Sequence, residues 1–227
     1  MLVAAAVVPS APLLVPDIAG ASASLDEPLR EQCTQAARTL LAAAPDVVVV
    51  VGSAASTARM AGRWDWRGFG LPARAPAGTA LPLGPAIGDW LLDTVQWTGE
   101  RELVGVARGE PADACAALGR RLVAGPRRVA LLACADGTAC RTEKAPGHLD
   151  PRAAEVDAGI AAALAAVDVA ALLRLAPELM DALLVAGRGS WQVLAGAAAE
   201  GRWTGSLSWD EAPYGVGYFV STWVAAP

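Results

Sequence analysis

The sequence predicts an α/β domain in three layers, in which helices cover both faces of a central β-sheet. Short apolar runs typical of buried strands alternate along the chain with longer, often alanine-rich segments typical of helices. The clearest strand is the row of five valines at Val47–Val51, because an unbroken β-branched run suits a strand buried on both faces. A chain of 227 residues can bury a substantial core, so we expect a single domain over residues 1–227.

The predicted elements follow one another in a simple order. Strands are expected at 2–8, 47–51, 102–107, 128–134, 203–209 and 216–224, and helices at 24–44, 86–95, 111–123 and within 151–200. Ser24 is a suitable cap for the first helix, since its hydroxyl can accept a hydrogen bond from a first-turn N–H group. Residues 62–85 are rich in Gly, Pro, Arg and Trp and predict a long loop that serves as a pocket wall or lid. Trp64 and Trp66 in this loop are expected to be the most exposed tryptophans.

Composition excludes several classes of function. The net charge of −5 offers no electrostatic basis for a nucleic-acid surface. No apolar run approaches the ~20 residues of a membrane helix, and the first residues lack the positive segment of a secretion signal. Four irregularly spaced cysteines are typical of a reducing compartment. The sequence therefore predicts a cytoplasmic protein that binds neither nucleic acid nor membrane.

Four loops follow predicted strands at the edge where ligands bind in α/β sheets. They are residues 9–17, 52–58, 135–150 and 210–215. The function is expected to lie among them.

These loops carry three motifs that resemble one known family. The stretch VVPSAPLLVPDIAG, from residue 7, resembles a strand followed by Pro-His-Pro-Pro-Leu-Leu. The segment ADGTACRTEKAPGHLDPRAAEVD, from residue 135, is similar to one built around Gly-Asp-Leu-Ser-His, Ala-Pro and Tyr-Asp-Pro-Arg. The closing DEAPYGVGYFV, from residue 210, resembles Ala-Pro-Phe-Gly-Val-Gly-Tyr. In this order they resemble the class III (LigB-type) extradiol ring-cleavage dioxygenases and their MEMO-like relatives.

The resemblance implies a mixed sheet, frequent oligomerisation and an Fe(II) ion held by two histidines and a carboxylate. A further histidine acts as acid and base while O₂ opens a catechol-like ring. Three protein ligands suit this chemistry because they leave coordination positions open for substrate and O₂.

The family's functional positions carry unsuitable side chains in this chain. The first metal ligand falls on Ser10, the second on Ala54 or Ser53, and the catalytic histidine on Ala139. Glu211 lies near the place of the carboxylate ligand. The chain has one histidine, so it cannot supply two imidazole ligands by itself. No cofactor is therefore expected.

Several polar residues remain as candidates, each with a structural alternative. Asp136 is either a catalytic carboxyl or the side chain of an Asx-turn, with Thr138 beside it in both cases. His148 is either a loop-packing residue or a general base, and a zinc site with Cys134 and Cys140 is disfavoured by their spacing. Lys144 forms a solvated pair with Glu143 unless it is buried.

The closing turn supplies two further candidates. Tyr214 and Glu211 flank Pro213, and Glu211 is the residue there without an evident structural role. The sequence predicts that Tyr214, Ser10, Ser53, Ala54, Thr138 and Ala139 line the pocket at the former metal and catalytic positions.

Three functions are compatible with this pattern. The first is a LigB-like protein that has lost its iron and serves as a binding, regulatory or partner subunit. The second is a metal-free enzyme that acts on a small polar or aromatic substrate through Asp136, His148, Glu211 or Lys144. The third is a ring-opening dioxygenase whose missing ligands come from another chain. A small-molecule ligand and a second copy of the chain are the partners that the sequence leaves open.

Overall fold

A computed structural model describes residues 1–24, 26–72 and 80–226 and has a seven-stranded mixed β-sheet at its centre. The strands are β1 (Leu2–Val8), β2 (Val47–Ala54), β3 (Ala58–Met60), β4 (Glu100–Ala107), β5 (Val129–Cys134), β6 (Trp203–Glu211) and β7 (Tyr218–Ala225). They lie in the order β3-β4-β2-β5-β1-β7-β6. Strands β4, β2, β5 and β1 are parallel, whereas β3 and β7 run antiparallel to β4 and β1.

Helices cover both faces of this sheet, which confirms the predicted three-layer α/β class. They are α1 (Pro16–Ala19), α2 (Glu27–Ala42), α3 (Leu83–Thr94), α4 (Ala112–Leu122), α5 (Ala153–Ala166), α6 (Val169–Leu173), α7 (Pro177–Ala182) and α8 (Arg188–Ala198). Short 3₁₀ turns occur at Pro12–Leu14, Gly20–Ser22 and Arg67–Phe69. None of the helices within the described ranges has the length and apolarity to cross a membrane.

The valine run of β2 packs against the helices on both faces of the sheet. Side chains alternate along a strand, so Val48 and Val50 face a core with α2 and α3, while Val47, Val49 and Val51 face a core with α5 and α8. All five valines are buried. Burial on both faces explains why this strand is continuously apolar.

Two predicted details of the elements are wrong. The first long helix begins at Glu27 with Asp26 as its N-cap residue, so Ser24 does not cap it. Trp66 is only 3% exposed and Trp64 is half-buried, and their rings stack with centroids 5.5 Å apart. Part of the predicted long loop, residues 73–79, lies outside the described residues.

Candidate functional site

Three of the four predicted loops meet at the carboxyl edge of the sheet. The loop after β1 approaches the loop after β5 where the Ser10 N–H donates to Asp136 Oδ1 at 2.8 Å. The loop after β5 is joined to the β6–β7 turn by the Gly137 N–H and the Gly217 carbonyl at 2.8 Å. These two hydrogen bonds join parts of the chain that are distant in sequence into one continuous surface.

The fourth loop, residues 52–58, lies farther along the edge beside β4 and α8. Ser53, at the end of β2, lines a cavity of about 10 Å³ together with the buried side chains of Arg188 and Ser190. The Arg188 guanidinium donates to the Arg108 and Glu110 carbonyls and to the Gln192 side chain. Ala54 is half-buried on the same strand. This loop therefore contributes to a structural junction rather than to the surface formed by the other three.

Asp136 is the central carboxyl group of the three-loop surface. It follows β5, forms an isolated antiparallel bridge with Tyr218, and is half-buried. Burial disfavours the charged form and raises the pKa of Asp136 from 3.8 to about 7, against a smaller opposite effect of the Ser10 N–H bond. The predicted Asx-turn is not formed, because the Thr138 N–H donates to Asp157 instead. Asp136 is thus a carboxyl group whose pKa lies near neutrality.

The groups around Asp136 are held in their neutral forms. Burial and the nearby Asp136 charge raise the pKa of the Cys33, Cys134 and Tyr218 side chains. Neutral thiols are poor nucleophiles and poor metal ligands. The part of the chain that the structure describes contains no cluster of three or more His, Cys, Asp or Glu residues able to hold a metal ion.

A groove of about 370 Å³ lies between the loop after β1 and the β6–β7 turn. Its walls come from the 12–22 segment, which contributes Leu13 and Ile18, from the 3₁₀ turn that ends at Phe69, and from the β6–β7 turn, which contributes Tyr214. Asp26 also lines the groove and is only 5% exposed. The Tyr214 hydroxyl donates to Asp26 Oδ1 at 2.7 Å, whereas Asp26 Oδ2 is buried without a hydrogen-bond partner in the described chain.

A second carboxyl group, Asp157 of α5, lies behind the surface and is fully paired. Asp157 is fully buried, and it accepts hydrogen bonds from the Thr138 N–H, the Thr138 hydroxyl and the Arg141 guanidinium, all at 2.9 Å. Glycine is required at two neighbouring positions, since a Cβ at Gly137 or Gly217 would lie within 2.6 Å of an Asp157 oxygen. Thr138 therefore belongs to the Asp157 cluster and not to Asp136 as predicted.

The remaining predicted residues are dispersed. Ala139 is buried, and its N–H donates to the Leu183 carbonyl. Lys144 and His148 are both exposed on the loop after β5, which fits the solvated interpretation of Lys144 and not the buried one. The thiols of the imagined zinc site are engaged elsewhere: Cys134 lies against Gly88, and Cys140 contacts the Leu183 carbonyl.

The two predicted residues of the β6–β7 turn also lie apart from each other. Glu211 is exposed at the end of β6, opposite Tyr218, whereas Tyr214 lies on the groove and contacts Asp26. Sequence reasoning missed Asp26, because an acidic residue at the start of a helix already has an explanation in the helix dipole. It also missed Asp157, whose surroundings come from segments far away in the chain.

Comparisons with known proteins identify the fold and nothing more specific. Neither a protein-family model nor a curated protein matches this sequence. The crystal structure of uncharacterized protein JW3007 from Escherichia coli K12 is similar, with a TM-score of 0.54, 15% sequence identity, and coverage of 98% of this chain and 100% of that chain. At this identity the likeness supports the architecture alone.

Proposed function

We propose that the protein is a LigB-fold, extradiol dioxygenase-like protein that has lost its iron site and functions as a non-catalytic binding or regulatory module. Two observations support the proposal: the three sequence motifs, and the side chains at the former ligand positions, which are poor Fe(II) ligands. It applies to the carboxyl edge of the sheet, where the three motif-bearing loops meet.

The observation that carries the proposal is the contact between Ser10 and Asp136. Ser10 occupies the position of the first imidazole ligand, yet it is buried and its backbone N–H donates to Asp136 Oδ1 at 2.8 Å. A serine hydroxyl is a poor Fe(II) ligand at neutral pH, and the second position offers Ser53 or Ala54. The donor set does not fit a two-histidine, one-carboxylate iron centre.

The groove lined by Asp26 and Tyr214 supports a binding role. Its volume of about 370 Å³ falls within the ~300–1,000 Å³ typical of small-molecule sites. It combines apolar walls with one buried carboxylate, which is the usual composition of a pocket that binds a small organic ligand.

An anaerobic Fe(II) titration, followed by exposure to air and catechol, tests the loss of the iron site. We expect no stoichiometric tight binding and no ring-opened product. A His148→Ala variant, which removes the one imidazole of the chain, should behave like the unmodified protein. One equivalent of iron together with catechol cleavage would refute the proposal, and loss of both in His148→Ala would point to His148 ligands shared between chains.

A specific observation favours a second candidate, the metal-free enzyme. A half-buried carboxyl group with a pKa of about 7 can accept and return a proton at neutral pH. In this candidate Asp136 is the general base or acid for a small substrate, and Asp136→Asn would abolish turnover without unfolding the protein. Retention of full activity by this variant would eliminate the candidate.

A further inference from the structure

The groove contains a buried carboxylate oxygen that the fold itself does not explain. Asp26 is the N-cap residue of α2, yet its side chain makes no cap hydrogen bond. Its Oδ2 atom is buried and has no hydrogen-bond donor among the described residues. An unpartnered buried carboxylate oxygen is unfavourable, so a missing donor from outside the chain is the simplest account of it.

Asp26 forms no ion pair with the basic residue that follows it on α2. Arg30 lies one helical turn away, but its guanidinium donates to the Leu14 and Ala23 carbonyls, both at 2.9 Å. Burial raises the pKa of the nearby Tyr218 phenol, and the negative charges of Asp136 and Asp26 raise it further. Neither carboxylate belongs to an ion pair within the described ranges. The Asp26 carboxylate, which lines the groove without an ion-pair partner in the described ranges, therefore favours a cation there.

The rest of the groove favours an apolar body. Leu13 and Ile18 lie on one wall, and Phe69, with 46% of its surface exposed, lies on the same groove. Large exposed aromatic side chains beside a polar anchor are typical of sites that bind ring-containing ligands.

We propose that this groove binds a small molecule that carries a protonated primary amine on an aromatic or branched apolar group. The inference rests on the proposed binding function and specifies its ligand class. The ammonium group donates to Asp26 Oδ2, and the apolar group packs against Leu13, Ile18 and Phe69.

Tyr214 must move for the amine to reach Asp26. Its hydroxyl covers the carboxylate, but 44% of its surface is exposed and it lies in the β6–β7 turn. The next residue, Gly215, has φ +76°, a left-handed conformation that glycine adopts without strain. The ammonium group would supply Oδ2 with a charge-assisted hydrogen bond, which is stronger than the neutral bond that Tyr214 donates to Oδ1.

Calorimetric titration of the full chain with 2-phenylethylamine at pH 7 tests the inference, with 2-phenylethanol as the neutral analogue of the same shape. We expect saturable binding of one amine per chain and binding of the alcohol that is about ten- to a hundredfold weaker. Asp26→Asn should weaken amine binding by a similar factor. Asp113→Asn, which removes an exposed carboxylate from α4, is the matched control and should leave it unchanged.

A second variant keeps the test decisive if Asp26→Asn does not fold. Leu13→Lys places a cation in the groove at a half-buried position and should abolish amine binding. Equal binding of amine and alcohol, or unchanged amine binding in the variants that fold, would overturn amine recognition while leaving the loss of the iron site intact. Iron-dependent catechol cleavage would instead refute the proposed function and would not affect these titrations.

Discussion

Two carboxylates at the same edge of the sheet differ in how completely the protein satisfies them. Asp157 is fully buried and accepts three hydrogen bonds, one of them from the positively charged Arg141. Asp136 is half-buried and accepts one hydrogen bond, from the Ser10 N–H. Asp136 lies in the loop after β5, and Asp157 lies on α5, the helix that this loop leads into. Their hydrogen-bonding surroundings are nevertheless different.

The difference separates a structural group from one that is available to a ligand or proton. Asp157 joins α5 to the loop after β5, and its hydrogen-bond donors all come from this loop. Asp136 has no cation within hydrogen-bonding distance in the described chain, and burial favours its protonated form. Asp26 also has no ion-pair partner in the described ranges, and one of its oxygens is buried without a hydrogen-bond donor there. Of these carboxyl groups, Asp26 is the one that both lines the groove and has a buried oxygen without a partner in the described chain.

Breaking the Asp157 cluster is expected to have the largest effect on stability. Asp157→Asn removes the charge that pairs with Arg141 and places an amide donor among existing donors, which should lower the free energy of unfolding by about 3 kcal/mol. Gly137 and Gly217 pack against the carboxylate, so the surroundings have no room to rearrange. Urea unfolding at neutral pH measures the change.

A matched substitution distinguishes the cluster from the general loss of an acid. Asp168→Asn changes an exposed carboxylate that caps α6, and asparagine is an equally good cap, so its effect should stay below about 0.5 kcal/mol. If both variants lost the same free energy of unfolding, the three hydrogen bonds of Asp157 would contribute no more to stability than the cap made by Asp168.

The pH dependence of stability is expected to reveal the opposite character of Asp136. Between about pH 4 and pH 7 the folded protein keeps this proton while the unfolded chain has released it. A shift of this size corresponds to about 4 kcal/mol, and solvent screening at the half-buried Asp136 reduces the expected fall in the free energy of unfolding to roughly 2 kcal/mol over this range. The dependence ends above pH 7. Asp136→Asn lacks the titrating proton but keeps an oxygen that can accept the Ser10 N–H.

The comparison is made between urea unfolding curves of the two proteins across this range. The stability of Asp136→Asn relative to the unmodified protein should increase from pH 4 to pH 7 and then remain constant. If the free energies of unfolding of the two proteins changed with pH in parallel, the pKa of Asp136 would be the same in the folded and unfolded chain. The contrast with Asp157 would then be lost.

Sequence reasoning succeeded where the cause of a structure is local. The valine run determines its own strand, because an unbroken apolar β-branched segment is stable when helices cover both sheet faces. Strand β3 (Ala58–Met60) was missed because it has three residues and no alternation, and it exists through pairing with β4.

The site was less predictable because its properties come from distant contacts. Asp157 looks like an ordinary helical acid in the sequence, and only the approach of residues 137–141 and 217 buries it. Likewise Asp26 and Tyr214 are 188 positions apart. Asp136 was predicted because it directly follows a core strand, but its partner Ser10 could not be identified from spacing.

The smallest expected effect concerns Tyr214, which reports on the ionisation of Asp26. The chain has two tyrosines, so Tyr218→Phe leaves Tyr214 as the single phenol for spectrophotometric titration at alkaline pH. Its hydroxyl donates to the Asp26 carboxylate, and this hydrogen bond raises the pKa of Tyr214 above its ordinary value of 10. Adding Asp26→Asn should lower that pKa, since the charged acceptor is replaced by a neutral one, whereas adding Asp113→Asn should not. An unchanged titration in the Asp26→Asn background would mean that the Tyr214 hydroxyl does not cover a charged carboxylate, and Asp26 would then lose its likeness to Asp136.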